Sequence, residues 1–454
     1  MFAAQRQGRG LDLEAVEMAI RDGLHRAGAA VLTSLLTGGG DHLKQVVCVC
    51  GEQAHYYDTR PKKLLTVLGP VEFERAYYVC PQCRQGQSPR DCELDVEGTE
   101  FSPGVRRMMA VVGSETSFEQ GREQLHLLAG LKVAAKAVER QSEAIGQHVA
   151  AREQEQIRRT KKLDLPKVCA PEAPVFYIEM DGTGVPVVKA EREGRVGKVE
   201  GQPAHTREAK LGCIFTQTTT DKEGWPVRDE DSTSYVGAIE TAEDFGLRMY
   251  TEAWRRGWSR AKKKVVIGDG ADPGASPTGH LVSLISRAVR RCSGQWIWNV
   301  AERHFPGAIY IVDLYHARQH LWELSAKLFP NDKPGRERWM ACCLKQLDGG
   351  KIEAIVKTLC ELQPANSELA KVVSNEAEYL QRNAEKMRYP TFRAQGLFVG
   401  SGVIEAGCKT VVGARLKRSG MFWTVRGANA MIALRCCRLS GQFEDYWESR
   451  SQAA

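Results

Sequence analysis

The spacing of apolar positions divides the chain into a helical N-terminal part, a strand-and-helix middle and a helical end. Residues 11–36 carry apolar side chains at helical spacing and run into Gly38-Gly39-Gly40, which predicts a helix or helix pair closed by a turn. A β-like stretch lies between Cys48-Val-Cys50 and Cys80-Pro-Gln-Cys83. Helical spacing resumes over 102–150, with starts at Ser102-Pro103 and Ser117-Phe118, a turn at Gly130 and a third helix over 134–145. Residues 151–167 are charged and basic (Arg158-Arg159-Thr-Lys161-Lys162) and end near Pro166, the pattern of an exposed linker.

From Val175 the pattern changes. Val175-Phe-Tyr-Ile-Glu-Met-Asp181-Gly is a short apolar run, rich in β-branched and aromatic residues, that ends at one acid and a glycine turn. The same pattern recurs at Lys264-Val-Val-Ile-Gly-Asp269-Gly-Ala271. Between them, 185–190 reads as a second strand, Lys210–Gln217 as a third and 235–257 as an amphipathic helix. A helical segment and another strand, Ala308-Ile-Tyr-Ile-Val-Asp313-Leu-Tyr-His316, follow. This order matches an α/β ribonuclease-H-like sheet, in which acids ending the first and fourth strands lie side by side. Residues 317–390 read as an all-helical insertion broken at Pro330, Pro334, Gly349-Gly350 and Pro364. The chain then returns through Val399–Arg418, where Ser401 is placed to cap a helix carrying Glu405 on its first turn. The expected domains are therefore 1–44 (helical), 45–95 (zinc-ribbon-like), 96–167 (helical, with linker), 168–316 with 396–445 (catalytic core) and 317–395 (helical insertion).

An Asp-Gly turn by itself is common. Two carboxylates delivered from two core strands suggest a divalent metal site. Glu179, two residues before Asp181 on the same strand face, is either a secondary ligand or the partner of a basic side chain. Cys48, Cys50, Cys80 and Cys83 form two close pairs 30 positions apart with strands between them, the spacing of a structural zinc ribbon; Cys92 and His55 are weaker candidates. Helix, glycine turn and helix with Lys132, Lys136 and Arg140 fit a helix-turn-helix or a plain helical hairpin. Between 401 and 440 there are seven Lys or Arg and one acid, Glu405, so a polyanionic backbone is a natural partner.

Composition narrows the class. At 454 residues with 43% apolar and 26% charged residues, the chain is expected to form several soluble domains. No stretch approaches the roughly eighteen apolar residues of a membrane span, and the N-terminal residues lack a signal-peptide core. A cytoplasmic location, with the fourteen cysteines reduced, buried or metal-bound, is expected. The net charge of +7 permits a nucleic-acid partner.

Asp181, Asp269 and Glu405, in this order with a helical insertion before the Glu, resemble the DDE transposases of bacterial insertion sequences. The similarity is to the ISKra-type group, which is related to the Mutator-like transposases. The motifs that carry it are Met180–Pro186, Arg207–Gln217, Gly268–Ala271, Trp296-Ile-Trp-Asn299, Ile311–Ala317 and Gly400–Lys409. The resemblance implies that Asp181, Asp269 and Glu405 are the catalytic residues and ligands of Mg²⁺ or Mn²⁺, two ions about 4 Å apart clamping the scissile phosphate. It implies that Asp313 and His316 match an Asp/Cys-x-x-His signature near the site. It implies DNA transposase activity: water cuts the element end, and the freed 3′-hydroxyl attacks target DNA. The partners implied are double-stranded DNA, as terminal inverted repeats and target, and further copies of the chain assembled on it, in the bacterial cytoplasm at the nucleoid. Lys132, Lys136 and Arg140, with Lys409, Arg415, Lys417 and Arg418 near the site, are the expected DNA-binding residues. Two alternatives remain: a catalytically inactive DNA-binding derivative, and a ribonuclease-H-like nuclease without strand transfer. One departure matters to the first. The family runs from Gly-Asp-Gly-Ala almost directly into Trp-Ile-Trp, whereas here residues 272–295 intervene.

Overall fold

The computed structural model describes residues 12–37, 42–168, 172–194, 204–270 and 295–451. Nearly all of the intervening 272–295 segment lies outside the described residues. The chain divides into two compact units, Met1–Ile145 with Glu444–Ala454, and Gly146–Phe443.

The first unit begins with α1 (Leu13–Thr37) and an antiparallel sheet in the order β1 (Gln45–Val47), β2 (Gln53–Thr66), β3 (Gly69–Val79), β4 (Gly86–Gln87). A short helix α2 (Pro89–Glu93) leads to α3 (Pro103–Glu115) and α4 (Phe118–Ala129). Ser102 and Ser117 cap these two helices, their hydroxyls accepting from Val105 N and Gln120 N, and Gly130 ends α4 in the left-handed conformation. Phe101, Val105, Met109, Leu125, Leu131 and Val138 form a core under them.

Helix α5 (Ala135–Lys161) corrects the expected linker. Residues 151–161 continue the helix because nothing between 147 and 161 is Pro or Gly. Arg152, Glu155, Arg158, Arg159 and Lys161 form a solvent face, while Ile157 and Thr160 are buried and Glu153 pairs with buried Arg248. Lys132 lies in the turn before α5, with Lys136 and Arg140 exposed on the helix itself.

The second unit is built on a mixed five-stranded sheet in the order β11-β10-β5-β6-β9. Its strands are β5 (Val175–Pro186), β6 (Thr206–Gln217), β9 (Ser234–Ala238), β10 (Lys263–Gly268) and β11 (Ile309–Val312), with a small hairpin of β7 (Thr219–Thr220) and β8 (Pro226–Val227) beside them. Strand β5 pairs antiparallel with β6 and parallel with β10, and β11 is parallel to β10. Val175 through Met180 are all buried, so the near-continuous apolar run reflects a central strand covered on both faces. Each apolar side chain among them contributes roughly 1.5–3 kcal/mol by leaving water, whereas Glu179 does not.

Two expectations are corrected here. Asp181 does not end its strand: β5 runs on to Pro186 because Asp181 through Pro186 pair with Leu211 through Thr206 of a longer β6. The segment at 185–190 is thus no separate strand. The third strand is instead β9, at the start of the stretch read as helix; the helix itself, α6 (Ala242–Arg255), begins after the Thr241 cap.

Helix α7 (Gln295–His304) precedes β11. The helical insertion comprises α8 (Leu314–Leu328), α9 (Lys333–Asp348), α10 (Ile352–Glu361), α11 (Ser367–Asn383) and α12 (Tyr389–Ala394). The chain returns through α13 (Gly402–Gly407), a π-helical turn at Cys408–Gly413, α14 (Ala414–Leu416), α15 (Val425–Leu439) and α16 (Phe443–Ser451). No helix among the described residues is long and apolar enough to cross a membrane.

Gly146 of α5 packs against α15 so closely that a Cβ there would stand 2.1 Å from the Ala430 carbonyl oxygen. Backbone cannot swing aside as a side chain can, so Gly146→Ala should destabilise the protein by about 1–3 kcal/mol in a denaturant titration. A loss below a few tenths of a kcal/mol would show that the two helices are free to separate.

Candidate functional site

In the second unit, a cavity of about 410 Å³ is lined by Met180, Asp181, Asp269, Tyr315, His316, Gln319, Ser401, Ile404 and Glu405. Three elements bring the acids there. The parallel register that sets Ile267 against Glu179 carries Asp181 and Asp269, each two residues further on, to adjacent positions. Asp269 sits just past the end of β10, where the Trp298 indole donates to its carbonyl oxygen at 2.7 Å. Glu405 projects from the first turn of α13 and is exposed. Gly270 admits a close approach: a Cβ there would lie 2.2 Å from the Tyr379 hydroxyl oxygen of α11.

The electrostatics follow from this crowding. Asp269 is pushed up to about 7, first by burial and then by the charges of Asp181, Asp313 and Glu405. Asp181 is also raised by burial, although it accepts from Gly182 N at 2.6 Å and from the Cys408 thiol at 3.4 Å. A carboxyl raised by burial and by its acid neighbours marks a donor set in deficit of positive charge. All-oxygen donors of this kind suit a hard divalent cation. Their oxygens, however, do not converge tightly: among the described residues, only the four cysteines form a group of metal-type ligand atoms within 4.8 Å of one another. The acids instead face a shared cavity.

Two buried carboxylates hold this wall in place. Glu179 is fully buried; its Oε2 accepts from Ile404 N at 2.8 Å and lies 3.8 Å from Cys213 Sγ. It is therefore neither paired with a described basic side chain nor turned to the cavity. Burial pushes it up to about 8. Asp313 caps α8 by accepting from His316 N at 2.7 Å, while its other oxygen accepts from both the backbone N–H and the hydroxyl of Ser401. Ser401 thus stands at the N-terminus of α13 without capping it, because its hydroxyl is spent on Asp313. His316 lies beside the acids, with Nδ1 3.7 Å from Asp269 Oδ1.

The basic residues divide. Lys409 and Lys417 are exposed, Lys417 donating to the Thr183 hydroxyl, and Arg418 is half-buried, donating to the Ala414 carbonyl oxygen. Arg415 is fully buried, stacked over Trp423 at 5.0 Å, so it cannot grip a DNA backbone as expected. A charge count along α14 cannot reveal this, since the burial comes from tertiary contacts such as those with Trp423 and Met421. Cys408, Cys213, His320 and Glu376 also belong to the site or its surroundings and were not singled out by sequence. The four-residue spacing of His316 and His320, which puts both on one helix face, is the signal available for one of them.

In the first unit, Cys48, Cys50, Cys80 and Cys83 converge within 4.8 Å, with Cys48 3.5 Å from Cys83 and Cys50 3.6 Å from Cys80. The N–H groups of Cys83 and Gln82 lower the Cys80 thiol to about 7, favouring the thiolate a metal binds. This cluster could hold zinc. Cys92 and His55 lie outside it, near Glu97 and Gln45 respectively.

Residues 6–202 match an uncharacterised protein family (UPF0236). The chain is 22% identical over 394 residues to the "UPF0236 protein in vanSb 3'region" of Streptococcus gallolyticus, covering 86% of this chain and 75% of the relative. A solved Drosophila P element transposase strand transfer complex aligns over 80% of this chain and 84% of that one, at 7% identity and a TM-score of 0.23.

Two outcomes are expected. Purified protein should carry about one equivalent of zinc by atomic emission, and Cys83→Ser should lose it with a lower melting temperature; full zinc content in that variant would exclude the four-cysteine site. The second concerns pH. With Asp269 and Glu179 raised to about 7 and about 8 in the folded state, the folded protein holds protons that the unfolded chain releases near pH 4. Stability should therefore fall as pH rises from about 4 to about 8 without added divalent cation. Asp269→Asn should be more stable than the parent at pH 8, with the gain vanishing towards pH 4. An unchanged pH slope in that variant would place Asp269 at its ordinary value.

Proposed function

We propose that this chain is a DDE transposase of an insertion sequence, of the ISKra type, with a ribonuclease-H-like catalytic core. One observation carries the reading: acids from three distant stretches of sequence line one cavity, Asp181 from within β5, Asp269 from just past the end of the adjacent parallel strand β10, and Glu405 from α13. The strand order and directions of the second unit's sheet support it, as do the exposed Lys409 and Lys417 in the same unit.

In this reading Asp181, Asp269 and Glu405 hold Mg²⁺ or Mn²⁺. When bound, such ions supply Lewis-acid activation of the attacking oxygen and of the leaving one. The residues of the chain do the remaining work. Asp181 and Asp269 bind and orient from the rigid sheet, and Glu405 closes the set from α13. Glu179 and Asp313 keep α13 at the right distance. Hydrolysis cuts the element end, and the resulting 3′-hydroxyl joins to target DNA without a covalent protein intermediate. Lys409, Lys417 and Arg418 contact DNA backbone, and Lys132, Lys136 and Arg140 with the zinc segment engage the element ends. The protein acts as an assembly of copies on paired ends.

The test is Mg²⁺-dependent cleavage and joining of labelled DNA carrying the element's own ends. Asp181→Ala, Asp269→Ala and Glu405→Ala should each lower cleavage by about 10³-fold or more while leaving DNA binding intact. Wild-type cutting in any one removes that residue from the set. Cutting without a joined product would make the protein a nuclease, and binding without cutting in the wild type would make it an inactive derivative.

A further inference from the structure

Helix α11 of the insertion reaches the site from outside the sheet. Its Glu376 Oε2 lies 3.2 Å from His320 Nδ1, and His320 Nε2 lies 3.2 Å from His316 Nε2. His316 Nδ1 in turn faces Asp269 Oδ1 at 3.7 Å, longer than a hydrogen bond. Tyr379, one turn beyond Glu376, lies flat on the His320 ring, with centroids 4.2 Å apart and planes 1° from parallel. Two imidazoles therefore stand in series between a carboxylate of the insertion and an acid of the cavity.

A neutral imidazole donates from one nitrogen and accepts at the other, and the partner of one sets the role of its opposite. A carboxylate only accepts, so Glu376 selects the Nδ1–H form of His320. His320 Nε2 is then an acceptor and selects the Nε2–H form of His316. That leaves His316 Nδ1 as an acceptor at the cavity, 3.7 Å from the Asp269 carboxyl.

We propose that Glu376 and His320 are positioning residues that fix the tautomer and ring orientation of His316, so that its Nδ1 faces the cavity as a hydrogen-bond acceptor beside Asp269. An acceptor there orients the proton of a nucleophilic water or 3′-hydroxyl. The helical insertion then contributes to the site through this relay. The role in cleavage rests on the proposed transposase reading; the tautomer relay does not.

The experiment uses full-length protein labelled with ¹⁵N-histidine and two-bond ¹H–¹⁵N spectra at pH 8, assigned with His316→Gln and His320→Gln. The expected wild-type spectrum has His320 in the Nδ1–H form and His316 in the Nε2–H form. Glu376→Ala removes the acceptor and should release His320 from the Nδ1–H form; Glu376→Gln keeps an acceptor oxygen and should retain it. In the cleavage assay, Glu376→Ala should lower kcat by about 10–100-fold, as loss of an orienting partner does, with DNA affinity within about twofold and substantial rescue in Glu376→Gln. Wild-type tautomers in Glu376→Ala, or a Gln variant as impaired as the Ala variant in both readouts, overturn the relay. If the wild type cuts no DNA, the functional reading fails, and the spectra still decide the relay.

Discussion

Two buried carboxylates, Glu179 and Asp313, hold the end of the chain against its middle. Glu179 reaches from the central strand to the Ile404 N–H, across 225 positions of sequence, and Asp313 reaches from the start of α8 to Ser401, across 88. Burying a carboxylate costs several kcal/mol unless its oxygens are satisfied. Here donors from the first turn of α13 partly offset that cost. Both acids bond to the first turn of α13, in the placement that sets Glu405 on the same cavity as Asp181 and Asp269. A helical insertion of some eighty residues can therefore interrupt the core without loosening the site, since loop-closure entropy grows only slowly with length.

The cavity is a region of unbalanced negative charge. Asp269 is raised to about 7 first by burial and then because three other carboxylates lie near it. Such an arrangement is poor for stability in isolation, and perturbed acids in a cleft make it a candidate functional site. The exposed Lys417, which donates to the Thr183 hydroxyl, carries the opposite sign near Asp181.

The basic residues show how little a charge pattern alone decides. Arg415 and Lys417 are two positions apart, yet one lies under Trp423 and the other reaches the surface beside Thr183. In the same way α5 absorbs a basic stretch that reads as a linker, because a charged run is compatible with both a solvated helix face and a solvated coil.

Sequence by itself pointed to three acids that the fold brings to one cavity, to the converging cysteines, to the helices that follow β11 and to a mixed α/β class, because each is carried by local signals: apolar runs meeting an acid, close Cys pairs, and helical spacing broken by Pro and Gly. It misjudged where β5 ends and which segment forms the third strand, since strand length depends on a partner, and β6 supplied pairing as far as Pro186. The role of Glu179, the diversion of the Ser401 hydroxyl to Asp313, and the approach of Glu376 and His320 to the site were settled only by tertiary structure. Each is a contact between residues tens to hundreds of positions apart or on separate helices, and no local periodicity encodes which buried acceptor will meet which donor.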